Sequence, residues 1–110
     1  MSYRIKTTPD FEREIKKIAK KHKSIKSDLA RLISDLGANP TMGIDLGQNF
    51  YKIRISMSGS NKGKSGGARV ITYVLLDHEI VILSEIYLKS ETDTVDIKVI
   101  LERLKEQEFI

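Results

Sequence analysis

Tyr51-Lys52-Ile53-Arg54-Ile55, then a loop ending Lys62-Gly63-Lys64-Ser65-Gly66-Gly67-Ala68-Arg69, then Val70-Ile71-Thr72-Tyr73-Val74-Leu75-Leu76: this stretch decides the fold. The first segment alternates, which puts Lys52 and Arg54 on one face of a strand and Tyr51, Ile53 and Ile55 on the other. The last is an apolar, β-branched run suited to a core strand. Between them three glycines stand near two lysines and an arginine. Glycine lets a backbone come close to an anion while the cations surround it. No acidic residue lies between Asp45 and Asp77, so the five cations of that interval have no local counter-charge. The stretch points to a site for a polyanion.

Gly59-Ser60-Asn61-Lys62-Gly63-Lys64-Ser65 comes close to a nucleotide-binding P-loop, but that motif needs four residues between its glycines and three stand here. A P-loop also opens a helix, whereas a strand-forming run follows this one. Both points argue against nucleotide binding.

Working outward, Tyr3-Arg4-Ile5-Lys6-Thr7 alternates and reads as a short first strand. Thr8 and Pro9 form a helix start, since proline suits the first turn. Phe11, Ile15, Ile18 and Ala19 follow at helical spacing, with Lys16, Lys17, Lys20 and Lys21 mainly off that stripe. Ser24 or Ser27 can cap a second helix, with Ile25, Leu29, Leu32, Ile33 and Leu36 as its apolar face. Gly37 and Pro40 mark its end. A link this short predicts an antiparallel helical hairpin. Residues 37–49 read as loop, then strands are expected at about 50–56, 68–76 and 79–87. Asp77-His78 is the turn of the last pair, and Ile80-Val81-Ile82-Leu83 has the unbroken apolarity of a strand covered on both faces. A third helix starts between Thr92 and Asp96, with Ile97, Ile100, Leu101 and Leu104 on one side. The expected order is β-α-α-β-β-β-α, an α+β fold built on an antiparallel meander.

Bulk properties bound the function. A chain of 110 residues fits one domain, here residues 1–110. It has no cysteine, which excludes disulfides and thiolate metal sites and suits a reducing cytoplasm, the expected compartment. No apolar run approaches the roughly 18 residues of a membrane span, and the start lacks a signal-peptide core, so no membrane association is expected. No metal and no cofactor are expected. The net charge is +4, unevenly spread. Residues 1–40 carry ten Lys and Arg against five Asp and Glu, residues 41–76 five against one, and residues 77–110 four against nine. A basic body with an acidic last third suggests a polyanion partner for the first two thirds.

That element order, with Leu46-Gly47, Tyr51-Lys52-Ile53-Arg54-Ile55, Gly63-Lys64-Ser65-Gly66-Gly67-Ala68-Arg69-Val70-Ile71 and Ile86-Tyr87-Leu88-Lys89, resembles the RelE/ParE superfamily of toxin–antitoxin toxins. The RelE-like and HigB-like branch is the nearest. The resemblance implies a small twisted antiparallel sheet with an N-terminal helical hairpin and a C-terminal helix, similar to microbial ribonucleases. It implies an endoribonuclease that cuts messenger RNA in the ribosomal A site, in contact with ribosomal RNA, and a cognate antitoxin bound across the same face. Lys52 and Arg54 match the family's basic pair on the first meander strand. Arg69 matches its arginine heading the next strand, and Lys89 its cation at the end of the last. Where the family pattern adds an arginine and then a tyrosine on the following helix, this sequence has Ser90 and, roughly, Asp96. Tyr87 and Tyr73 are the candidates for that tyrosine's place.

Metal-free RNA cleavage needs a 2′-hydroxyl deprotonated, a dianionic transition state stabilised and the 5′-oxygen protonated. Histidine is the usual proton carrier, but His22 and His78 stand at a helix end and a turn, apart from the basic stretch. The cations are left with the chemistry. Crowded positive charge disfavours the ammonium form of a lysine, so Lys52 or Lys89 is the expected proton acceptor, with Arg54 and Arg69 stabilising the phosphate. Lys62 and Lys64, with Gly66 and Gly67, are expected to contact RNA, although the two glycines also fit a purely turn-forming role. Two other functions compete: a ParE-like gyrase-inhibiting toxin, which lacks this cationic cluster, and a non-catalytic RNA-binding domain.

Overall fold

Strands and helices form where the apolar periodicity places them, in a computed structural model that describes residues 2–57, 67–92 and 94–110. The elements are β1 (Arg4–Thr7), α1 (Pro9–Lys21), α2 (Ile25–Ala38), β2 (Ile44–Gly47), β3 (Phe50–Ile55), β4 (Ala68–Leu75), a 3-10 turn (Leu76–His78), β5 (Ile80–Leu88) and α3 (Ile97–Glu106). The strands make one sheet in the order β1-β5-β4-β3-β2. Thr8 caps α1 by accepting a hydrogen bond from the Phe11 N–H at 3.1 Å, with Pro9 in the first turn. Ser24 holds the N-cap position of α2.

Two features depart from the expectation. The segment expected as loop contains β2, which pairs Ile44 with Lys52, Asp45 with Tyr51 and Gly47 with Phe50. Its four residues include Asp and Gly, and the turn after it puts Gln48 and Asn49 at positive φ. So short a strand carries no legible alternation. The sheet is also mixed and not antiparallel throughout, because β1 runs parallel to β5, pairing Arg4 with Ile80 and Thr7 with Leu83. The helical hairpin and the meander lie between these two strands in sequence, which gives the chain the length a parallel crossover needs.

The sheet is covered on both faces. On one, Phe11, Ile15 and Ile18 of α1 and Ile25, Leu32 and Leu36 of α2 pack on Ile53, Ile55, Val70, Val74, Val81 and Leu83. On the other, Ile100 and Leu104 of α3 pack among Phe50, Ile71, Ile80, Ile82 and Tyr87. This double burial accounts for the unbroken apolar run 80–83. A bulge then resets the alternation: Thr72 pairs with Leu83 but Ile71 with Glu85, so Ser84 is skipped. As a result Ile86 and Leu88 join the α1–α2 side, while Tyr87 turns to the α3 side.

Gly67 lets β3 and β4 converge. A Cβ there would lie 2.0 Å from the Ile55 carbonyl oxygen, a backbone atom that cannot swing aside. Gly37, within the last turn of α2, has only ordinary contacts at 3.8 Å. Gly67→Ala is expected to cost about 1–3 kcal/mol, the usual penalty of overpacking. Gly37→Ala is expected to stabilise by about 0.5–1 kcal/mol through helix propensity. Urea unfolding midpoints of the two variants, at unchanged slope, check both.

Candidate nucleic-acid interface

The register of β3, β4 and β5 assembles the predicted cations. Arg54 pairs with Arg69, and Arg69 with Tyr87, so the three stand in one row across the sheet. The next row is Lys52, Ile71 and Glu85. Lys89 lies just past Tyr87 and ties β5 to the start of β4 by donating its backbone N–H to the Gly67 carbonyl at 3.0 Å. Neighbouring strands lie about 4.8 Å apart, and alternate residues of one strand about 6.8 Å apart. Alternation therefore brings Lys52, Arg54 and Arg69 to one face, the face that carries α3, and Lys89 follows directly on the end of β5 beside Gly67. Arg54 and Lys89 are exposed and Lys52 is half-buried.

Arg69, expected to stabilise the phosphate, is not at the surface. It is 3% exposed, and its Nη1 donates to the Ala68 carbonyl at 3.1 Å. Its charge lies under the row and not at the surface, so Arg54 is the arginine that meets solvent. Of the two tyrosines, Tyr87 stands directly opposite Arg69 and is buried. Tyr73 pairs with Phe50, ring centroids 4.8 Å apart and edge-on, about 14 Å along β4 from Arg69. Of the two, Tyr87 is the one that stands beside the cations. Asp96, in the family tyrosine's approximate place, caps α3 by accepting from the Lys98 N–H at 2.9 Å.

Lys62, Lys64 and Gly66 lie outside the described residues. Gly67 is within them, and the side on which a Cβ would project is filled by the Ile55 backbone. Its missing side chain is thus used in strand packing, the turn-forming alternative of the sequence reading. His78 is exposed in the 3-10 turn. His22 borders a hollow of about 420 Å³ with Lys17, Lys21, Glu14 and Glu91 on the α1 side. Neither joins the cationic row.

Two hollows flank the segment between β5 and α3. One, about 270 Å³, is lined by Leu46, Lys52, Tyr87, Thr94, Val95 and Ile97. The other, about 280 Å³, shares Tyr87, Thr94 and Val95 but adds Glu85, Asp96 and Arg103. Arg103 fastens α3 to the sheet edge, donating from Nη2 to Glu85 at 2.8 Å and from Nη1 to Asp10 at 3.1 Å. Asp10 also pairs with Arg13. The network joins α1, β5 and α3, and its long sequence separations leave no local signal to find it by. Among the described residues no group of three or more His, Cys, Asp and Glu could hold a metal ion, and no helix is long and apolar enough to cross a membrane.

A five-stranded mixed sheet with a helical hairpin on one face and a third helix on the other is an α+β fold of the RelE kind. The chain is similar to a solved structure of the E. coli toxin RelE, a double arginine-to-alanine mutant in the free state, with a TM-score of 0.59. The match covers 84% of this chain and 90% of that one at 14% identity, a likeness of fold. No protein-family model matches the chain, and no curated protein does.

The network makes a pH-dependent contribution. Burial opposes ionisation of Asp10, but the hydrogen bond and charge of Arg103, and then of Arg13, outweigh it and hold the carboxyl below its usual 3.8. A carboxyl lowered on folding stabilises the fold above its unfolded value, and the gain disappears as pH falls through the folded value. Asp10→Asn is therefore expected to cost about 1 kcal/mol or less at neutral pH. The gap from the parent should close below the ordinary carboxylate range. Thermal melts of both proteins from pH 7 to pH 2 measure it.

Proposed function

We propose that this chain, acting as one domain in the cytoplasm, is the toxin of a toxin–antitoxin pair: a metal-independent endoribonuclease that cuts messenger RNA in the ribosomal A site and so stops translation. The observation that carries this reading is the strand register that brings Lys52, Arg54 and Arg69 to one face of a RelE-like sheet, with Lys89 just past the end of β5. Arg54, exposed and fixed on a paired strand, is suited to the equatorial phosphate oxygens. Arg69, buried beneath, adds a fixed positive charge that needs no reorganisation as the transition state forms. Lys52 or Lys89 takes the 2′-hydroxyl proton. The 2′-oxygen then attacks phosphorus, the bond to the 5′-oxygen breaks as that oxygen takes a proton from water, and the fragments carry a 2′,3′-cyclic phosphate and a 5′-hydroxyl. Tyr87, opposite Arg69, backs this row from within the sheet.

No histidine lies in the row, which leaves the acid–base set weak. The ribosome supplies the missing orientation, holding the scissile 2′-hydroxyl in line with phosphorus. Ribosomal RNA and the mRNA are thus the working partners, and an antitoxin covering the same face would silence the protein.

Expression without a partner should arrest growth, with protein synthesis falling before DNA synthesis in pulse labelling. DNA breaks and an early fall in DNA synthesis would favour the gyrase alternative. Purified protein should cut mRNA on programmed ribosomes and leave free RNA nearly intact. Arg54→Ala, at an exposed position, should stay folded and lose roughly 10²–10³ in single-turnover rate, the size of one lost electrostatic donor. Arg69→Ala removes a buried side chain as well, so its rate is read beside its unfolding midpoint.

A further inference from the structure

The two hollows beside Tyr87 share a wall but differ in charge. Among the described residues, the one toward β2 has Lys52 as its only charged lining residue, with Leu46, Val95 and Ile97 as apolar ones and Tyr87 and Thr94 as the two that carry a hydroxyl. The one toward the sheet edge is bordered by Glu85 and Asp96, and its arginine, Arg103, is engaged by Glu85 and Asp10. An anionic ligand is favoured in the first and disfavoured in the second. At about 270 Å³, the first falls just below the span typical of drug-sized ligands, the scale of a single planar ring system. Lys52 connects it to Arg54 along β3.

We infer that the hollow lined by Leu46, Lys52, Tyr87, Thr94, Val95 and Ile97 is a nucleobase pocket, which receives one unstacked base of a single-stranded RNA whose phosphate lies on Lys52 and Arg54. The inference rests on the RNA-directed reading of the cationic row and assigns it a base-recognition site. Unstacked bases are what proteins read in single-stranded RNA, and apolar or aromatic walls take them from water while a few polar groups choose among them. Thr94 is the uncharged hydrogen-bonding side chain at the exposed rim, so it is the residue placed to distinguish one base edge from another. Lys52 then marks the junction between base and phosphate.

The test uses the whole chain in solution, titrated with the four nucleoside 5′-monophosphates and with ribose 5-phosphate, and followed by amide and methyl NMR. At least one nucleotide should bind about tenfold or more tightly than ribose 5-phosphate, in keeping with the contribution of one sequestered base. Its shifts should centre on Leu46, Val95 and Ile97. Thr94→Trp, at an exposed position, should fill the hollow and bring the nucleotide-to-sugar-phosphate affinity ratio close to one. Equal affinity for all ligands in the parent overturns the pocket, and so does nucleotide binding that leaves these residues unperturbed. A ratio unchanged in Thr94→Trp overturns it as well. Ribosome cleavage is scored separately: a protein that selects a base but cuts no mRNA keeps the pocket and loses the nuclease reading.

Discussion

β4 is hydrogen-bonded on both sides along its length, to β3 from Phe50 to Ile55 and to β5 from Ile80 to Leu88. That double pairing is the constraint on which the rest depends. A slip of one residue in either ladder would turn every side chain of the slipped strand to the opposite face. Val70 and Val74 would leave the α1–α2 core, and Arg69 would enter it. The convergence of Gly67 on Ile55 and the bulge at Ser84 help to hold the two ladders in place. The hydrophobic pattern and the cationic row are therefore set by one register, and neither can move without the other.

This coupling explains how a small protein can hold cations close together. An arginine that is 3% exposed is costly to bury unless its hydrogen bonds are met, and Arg69 gives one of them to the carbonyl of Ala68. The bulge has a second effect, since without the skipped Ser84 Tyr87 would point to the α1–α2 core. α3 closes part of the same face and is fastened by Arg103 to Glu85 and Asp10, leaving two hollows on either side of Thr94 and Val95. One face of the sheet is sealed for stability. The other, under α3, keeps the two hollows.

Much of this was legible in the sequence, for physical reasons that can be named. Strands β3, β4 and β5 are long enough for period-2 patterning to show, and helices α1 and α2 carry amphipathic stripes that follow from burial on one side. β2 was not legible, because four residues with Asp and Gly show neither alternation nor propensity. The parallel pairing of β1 depends on the packing of the whole hairpin, which no local pattern encodes. At the site, alternation set Lys52 and Arg54 on one face, but the burial of Arg69 could not be read from a residue type that is usually exposed. The Asp10–Arg103–Glu85 network spans most of the chain and was equally hidden. Gly67 looked like part of an anion-binding loop, and its surroundings show a demand from strand packing that the sequence does not reveal.

The central claim is that this face acts on a ribose-phosphate linkage through the neighbouring 2′-hydroxyl. Its most direct test is single-turnover cleavage on ribosomes programmed with mRNA carrying one 2′-deoxy nucleotide at the scissile position. The account predicts that cleavage at that linkage is lost, and that the all-ribose control yields a 2′,3′-cyclic phosphate end. Undiminished cutting at the 2′-deoxy position would contradict it.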